Sequence, residues 1–189
     1  MTISTGETAS KCRVRSAEHM IFHETKLAGA FVVELDKKED NRGFFSRAFC
    51  AREFAEHGLK SQVVQANLSF SHTTGTIRGM HYQLAPATEP KFIRCIGGSI
   101  WDVIIDVRPE SPTYLEHFAI ELSADNRTAL YVPDMFAHGN QALTDGAELL
   151  YLVGEYYTPG YERGIRYDDP AIGIDWPVPV PIISQAPIN

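Results

Sequence analysis

Hydrophobic and polar residues alternate along most of this chain in short runs, and turn-forming residues separate one run from the next. In the run VVQANLSF the side chains of Gln65, Asn67 and Ser69 fall on one face of a strand, and apolar side chains fall on the other. Gly97 and Gly98 form a hairpin turn between two further runs. Roughly eight to ten such strands at regular spacing predict an antiparallel sandwich or barrel of the jelly-roll type.

Two segments depart from the alternation. The stretch AREFAEH predicts a short helix with Phe54 facing inward and Gly58 ending it. The last third of the chain is rich in proline, glycine and aromatic residues, and we expect it to be irregular. The fold class is therefore all-β: an antiparallel jelly-roll barrel with one or two short helices and an irregular C-terminal tail. Residues 23–189 form the predicted domain, and residues 1–22 form an N-terminal arm that we expect to be flexible.

Composition narrows the classes of function. A chain of 189 residues suits one domain, and its net charge of −7 argues against a nucleic-acid surface. We find no apolar run of membrane-spanning length and no signal peptide, so we expect no membrane partner. Three widely spaced cysteines indicate neither a disulfide framework nor a CxxC pair, which favours a cytoplasmic location. Neither GxGxxG nor a P-loop is present, which argues against nucleotide sites of those kinds.

The stretch TIRGMHYQ contains the first candidate for chemistry. As a regular strand it places Arg78 on one side with Met80 and Tyr82, and His81 on the other side with Gln83. An imidazole flanked by bulky residues, with an arginine nearby, suits a proton acceptor beside an anionic ligand. The alternative is a core histidine whose ring is hydrogen-bonded to a backbone carbonyl.

The polar face that contains Gln65 and Asn67 also has two interpretations. On the outside of a barrel these side chains would only contact solvent. On the inside they would form a lining able to hydrogen-bond a polar ligand.

A metal site is not expected. The segment from Pro133 to His138 resembles the second motif of cupins, whose first motif often binds a metal through an HxH pair and a glutamate. Here the corresponding stretch is HYQ, with one imidazole where two are needed. Because a metal site needs three or four converging ligands, we predict that this chain binds none.

Several strings together resemble one family. DNRGFF, VVQANLS, TIRGMHYQ, KFIRC, WDVIIDVRPESPTY, VPDMFAHG and the tail EYYTPGYERGIRYDDPAIGIDWP are similar to dTDP-4-dehydrorhamnose 3,5-epimerases, from about residue 24 to residue 185. The resemblance implies a cupin jelly roll that forms a homodimer and uses neither metal nor redox cofactor. It also implies a dTDP-4-keto-6-deoxy sugar as substrate and a place in dTDP-L-rhamnose biosynthesis.

The same resemblance implies roles for individual residues. A proton next to a ketone is weakly acidic, so its removal needs a base and a cation or donor at the ketone oxygen. The resemblance assigns His81 as the base, Lys91 as the cation and Tyr156 as the acid on the opposite face, with Tyr151 or Tyr157 as the alternatives to Tyr156. The predicted substrate contacts are Arg42, Arg47, Gln65, Asn67, Arg78 and His138, the last of which has a purely structural role as its alternative.

The sequence departs from the family pattern at the base. The family pairs its base histidine with a C-terminal aspartate, whereas Pro187 occupies the corresponding position here. Loss of a carboxylate behind a histidine weakens the histidine as a base. Asp102 or Asp106 would replace it if either side chain points toward His81.

Two further departures affect the expected substrate contacts. Arg47 stands where the family tends to have glutamate, and Asn140 stands where an aromatic residue tends to follow FAHG. Three functions therefore remain in view: an epimerase inverting both C3 and C5, a relative that inverts one carbon or acts on another nucleotide-linked keto sugar, and a non-catalytic sugar-nucleotide-binding jelly roll. The combination of a base, a cation and an acid favours the first two.

Overall fold

The computed structural model describes residues 19–179 and 181–183. In this part of the chain there is one helix, α1 (Ala51–Glu56), which confirms the helix predicted at this place. The strands are β1 (Met20–Glu24), β2 (Phe31–Leu35), β3 (Lys38–Asp40), β4 (Gly43–Phe45), β5 (Gln65–Ser71), β6 (Ile77–Gln83), β7 (Lys91–Gly97), β8 (Ser99–Asp106), β9 (His117–Ser123), β10 (Ala129–Val132), β11 (Phe136–Ala142), β12 (Ala147–Val153) and β13 (Glu162–Gly164).

The strands form two sheets and a separate hairpin. One sheet has six strands in the order β1-β2-β10-β7-β12-β5, and the other has five in the order β13-β6-β11-β8-β9. Strands β3 and β4 pair only with each other. Every pairing between these strands is antiparallel, as the alternating pattern predicts. The architecture confirms the predicted all-β jelly roll.

The core lies between the two sheets and is built from alternate residues of each strand. Ile93 and Leu149 contribute from the six-stranded sheet, and Ile100 and Ile104 contribute from the five-stranded sheet. All four side chains are almost completely buried. Because side chains alternate along a strand, the intervening residues point outward and form separate contacts on the outer faces.

Each outer face is covered in part. Phe54 of α1 packs edge-on against Phe92 and Tyr131 of the six-stranded sheet, and burial of such a ring is worth about 1.5–3 kcal/mol. The irregular C-terminal segment packs Trp176 against the apolar cluster of the other sheet that contains Val103 and Ile105. Among the described residues, no helix is long and apolar enough to cross a membrane.

The N-terminal boundary differs in part from the predicted arm. Strand β1 begins at Met20 and pairs along its whole length with β2, so the last residues assigned to the arm belong to the sheet. Residues 1–18 lie outside the described part of the chain.

A close approach of two glycines changes the orientation of β6. The pairing of β6 with β11 shifts register between His138 and Asn140, and Gly79 there has a φ of +118°. A Cβ atom on Gly79 would overlap the backbone of Gly139, so this contact needs glycine. Because the shift interrupts regular alternation, Arg78 and His81 line the same cavity. The prediction that Arg78 faces away from His81, which assumed a regular strand, is therefore wrong.

Candidate active site

Two adjoining cavities open between the sheets at the polar end of the core. The smaller has a volume of about 130 Å³ and the larger about 460 Å³. His81, Lys91 and Tyr151 line both of them. These three side chains therefore surround one common hollow, as a base, a cation and an acid acting on one substrate must.

Strand alternation explains why these side chains point inward. Lys91 precedes the core residue Ile93 by two positions in β7, and Tyr151 follows Leu149 by two positions in β12. Tyr151 in turn lies opposite Asn67 of β5. The same faces that form the apolar core thus become polar where they line the cavities.

The two histidines lie opposite each other on β6 and β11. His138 Nε2 is 2.8 Å from Asp102 Oδ1, and Asp102 is completely buried. The second carboxylate oxygen, Asp102 Oδ2, has no hydrogen-bond partner among the described residues. A buried carboxylate fixes the orientation of the imidazole it contacts, so His138 is held in place from behind.

Neither candidate carboxylate stands behind His81. Asp102 contacts His138, and Asp106 accepts hydrogen bonds from Arg108, Ser111 and Thr113. The expectation that one of them replaces the missing aspartate is therefore not met. Pro187, the position expected to hold that aspartate, lies outside the described residues.

The surroundings of His81 favour its neutral form. Partial desolvation in the cavity is the main cause, and the charges of His138 and Lys91 add to it; together they lower the pKa of His81 from its ordinary value of 6.5. A neutral imidazole can accept a proton, whereas a protonated one cannot. His81 is therefore in the state that a base requires near neutral pH.

Lys91 and Tyr151 have a shared neighbour that the sequence did not reveal. Lys91 Nζ lies 2.8 Å from Glu89 Oε2, and both side chains are largely buried. Burial raises the pKa of Tyr151, and the negative charge of Glu89 raises it further against the opposing effect of Arg78. The phenol is therefore held in the protonated form that a proton donor requires.

The phenol predicted as the acid lies elsewhere. The Tyr156 side chain is 57% exposed and is not among the described residues that line either cavity. Its backbone carbonyl accepts a hydrogen bond from the buried side chain of Gln83. Tyr157 does line the larger cavity, and its hydroxyl donates to Glu162.

The predicted substrate contacts fall into two groups. Gln65 and Asn67 line the larger cavity, which agrees with the inner-face interpretation, whereas Arg78 and His138 line the smaller one. Arg78 also donates to the backbone carbonyl of Phe70 and to the hydroxyl of Ser71, which orients its guanidinium across the gap between β6 and β5.

Arg42 and Arg47 are not among the described residues around the cavities. Arg42 is exposed beside the β3–β4 hairpin and pairs with Asp40. Arg47 pairs with the buried carboxylate of Glu53. Their predicted contacts with substrate stay predictions.

Among the described residues, Asn140 is a departure from the family pattern that reaches the site. It is nearly fully buried and lines the smaller cavity, and its Oδ1 has no hydrogen-bond partner among the described residues. Within the same described part of the chain, no three His, Cys, Asp or Glu side chains converge as metal ligands would.

The arrangement can perform a proton transfer at carbon. His81 can accept a proton, Lys91 can neutralise negative charge that develops on a nearby oxygen, and Tyr151 can donate a proton. The diphosphate of a nucleotide-linked sugar would find a guanidinium in Arg78, whose fork suits phosphate oxygens.

Comparison with known proteins agrees with this chemistry. The sequence model of the dTDP-4-dehydrorhamnose 3,5-epimerase family matches residues 24–187. The dTDP-4-dehydrorhamnose 3,5-epimerase of Shigella flexneri is 40% identical over 167 residues, which cover 88% of this chain and 92% of the relative.

Two solved structures have the same architecture. A dTDP-6-deoxy-D-glucose-3,5-epimerase from Legionella pneumophila, in complex with dTDP-4-keto-L-rhamnose, superimposes with a TM-score of 0.82 at 34% identity, covering 88% of this chain and 89% of the other. The second is a His/Tyr double mutant of the 3'-monoepimerase ChmJ from Streptomyces bikiniensis, in complex with dTDP. It superimposes with a TM-score of 0.80 at 32% identity, covering 86% of this chain and 82% of the other. The chain thus belongs to the dTDP-4-dehydrorhamnose 3,5-epimerase family and is an isomerase.

Proposed function

We propose that this protein inverts C3 and C5 of dTDP-4-keto-6-deoxyglucose to give dTDP-4-keto-L-rhamnose, without a metal or redox cofactor. The observation that carries the proposal is that His81, Lys91 and Tyr151 line one common hollow. Each has the chemical character that its step requires.

The reaction begins with loss of a proton from a carbon next to the ketone. His81 takes this proton, and the electrons move onto the ketone oxygen. The Lys91 ammonium stabilises the resulting enolate oxygen by charge and hydrogen bonding. Because the same ketone activates C3 and C5, one base and one cation serve both carbons.

Inversion requires a proton to return from the opposite face of the sugar. We assign this step to Tyr151 in place of Tyr156, because Tyr151 lines both cavities and its raised pKa keeps its proton available. In the ChmJ double mutant, the replaced histidine and tyrosine have the same separation in sequence as His81 and Tyr151. That correspondence supports Tyr151 as the acid.

The larger cavity suits part of the nucleotide. Gln65 and Asn67 offer neutral amides there, and Arg78 and His138 reach the substrate from the smaller cavity. Neutral amides bind polar groups without adding a buried charge. These contacts support a dTDP-linked keto sugar as the substrate class. We place its use in dTDP-L-rhamnose biosynthesis, in the cytoplasm, as part of the same proposal.

We also propose that the protein acts as a homodimer. Strand β5 ends the six-stranded sheet and exposes Leu68 and Phe70, at 64% and 46% of their surfaces. Exposed apolar side chains on an edge strand favour association with another protein surface. Light scattering coupled to gel filtration should give twice the chain mass, and the mass of a single chain would contradict the proposal.

Incubation with dTDP-4-keto-6-deoxyglucose in heavy water tests the function. We expect deuterium at both C3 and C5 and formation of the L-rhamno product. NMR spectroscopy monitors both. Label at one carbon only would indicate a monoepimerase. No label, together with a dTDP-induced rise in the melting temperature, would indicate a sugar-nucleotide-binding protein without catalysis.

A further inference from the structure

Glu89 lies in the larger cavity without a role in the reaction described above. It precedes β7 in a proline-rich loop, and its carboxylate contacts the Lys91 ammonium at 2.8 Å. Its side chain is 15% exposed and that of Lys91 is 10% exposed, so this is not a solvated surface pair. The negative charge of a largely buried carboxylate interacts strongly with the other ionisable groups that line the same cavity.

We propose that Glu89 is a positioning residue of the epimerase reaction: its ion pair orients the Lys91 ammonium toward the ketone, and its carboxylate places a negative charge in the cavity that Tyr151 lines. The proposal rests on the proposed function, since it concerns the same site. Glu89 acts through Lys91 and Tyr151 and need not touch the reacting carbons.

The first part of the proposal follows from the contact with Lys91. A lysine side chain has four rotatable carbon–carbon bonds, and an ammonium in an open cavity would sample many orientations. The ion pair with Glu89 restricts them before the substrate arrives. Catalysis by a charge depends on its being in place when the enolate forms, so this restriction favours the reaction.

The second part follows from the charge near Tyr151. After burial, the negative charge of Glu89 is the next cause that raises the pKa of Tyr151, while Arg78 opposes it. Other titratable groups that face the two cavities come from β6, β11, the segment that follows β12, and β13. They are His81, Tyr82, His138, Tyr157 and Glu162. Two carboxylates therefore line the larger cavity among the described residues. Glu89 contacts Lys91, and Glu162 accepts a hydrogen bond from the Tyr157 hydroxyl.

The test replaces the charge and keeps the shape. In Glu89→Gln the pKa of Tyr151 should fall, because one cause that raises it is gone. The alkaline limb of kcat/KM should therefore move to lower pH. We also expect kcat to fall about 3–10-fold because Lys91 loses its anchor. KM should fall or stay the same, since a negative charge no longer opposes the diphosphate.

Two matched variants separate positioning from a general structural effect. Glu89→Asp keeps the charge and should keep the alkaline limb near its wild-type position. Glu162→Gln removes a charge from the same cavity without contact to Lys91, and should move the limb less than Glu89→Gln does. The proposal would be overturned if the alkaline limb of kcat/KM lay at the same pH in wild type and Glu89→Gln. It would also be overturned if Glu89→Gln and Glu162→Gln moved that limb equally.

A second measurement needs no turnover. Ultraviolet titration of each protein against its Tyr151→Phe counterpart reports the ionisation of Tyr151 alone, and the Glu89→Gln protein should ionise at lower pH. The two proposals therefore fail separately. An inactive wild type contradicts the proposed function, whereas an unchanged Tyr151 titration in Glu89→Gln contradicts the role of Glu89.

Discussion

His81 and His138 lie opposite each other on neighbouring strands, yet their surroundings differ. His138 is held at 2.8 Å by the buried carboxylate of Asp102, whereas the His81 ring opens onto two cavities beside Lys91 and Tyr151. A histidine paired from behind is fixed in one orientation, and a histidine that faces a hollow can receive a proton from whatever fills it. Under the proposed function, the sheet holds His138 as a substrate contact and presents His81 as the base.

The largest effect should come from the histidine that faces the hollow. Replacement His81→Asn removes the base, and we expect kcat to fall about 10³-fold or more. NMR in heavy water measures the loss of label at C3 and C5. A variant that still exchanges either position at a rate near that of wild type would remove His81 from the mechanism.

The paired histidine should matter less. In His138→Asn the site keeps its base, cation and acid but loses one polar contact, so we expect about a tenfold fall in kcat/KM. The same exchange assay provides the comparison with His81→Asn. If His138→Asn were as damaging as His81→Asn, the two histidines would have to share the role of base.

The acid limb of the pH profile should reflect the surroundings of His81. The base must be neutral to act, and the pKa of His81 is lowered from 6.5. Activity should therefore persist as the pH falls to 6.5 and disappear only below it, in a plot of kcat/KM against pH. A midpoint at or above 6.5 would show that the desolvation and positive charges around His81 do not control its protonation.

Stability should depend more on the carboxylate that supports His138 than on His81, the reverse of the ranking in activity. Asp102→Asn removes the charge-assisted bond to His138, so we expect the free energy of unfolding to fall by about 1–3 kcal/mol. Activity should change only about threefold, since the three reacting side chains are untouched. Urea denaturation of this variant and of His81→Asn makes the comparison, and the His81 variant should be the more stable of the two.

The sequence predicts the parts of this molecule that follow regular strand alternation. The jelly roll and the helix around Phe54 are of this kind. Alternation also places Gln65 and Asn67 on one face, but whether that face is the inner one is decided by the structure. The resemblance to the family assigned the acid to Tyr156. Strand alternation was the signal for Tyr151 instead, because Tyr151 shares its strand face with the core residue Leu149.

Irregular backbone explains what the sequence does not predict. The side on which Arg78 lies depends on the register shift at the contact between Gly79 and Gly139. The contact between Glu89 and Lys91 depends on the path of a proline-rich loop. Neither feature has a periodic signal, because both arise from tertiary packing.

The central claim is that His81 and Tyr151 act from opposite faces of the sugar, and Tyr151→Phe in heavy water tests it most directly. The account predicts that His81 still removes protons, so recovered dTDP-4-keto-6-deoxyglucose should gain deuterium at C3 and C5, while inversion falls about 100-fold or more because the acid is missing. Inversion at a rate near that of wild type would contradict the account.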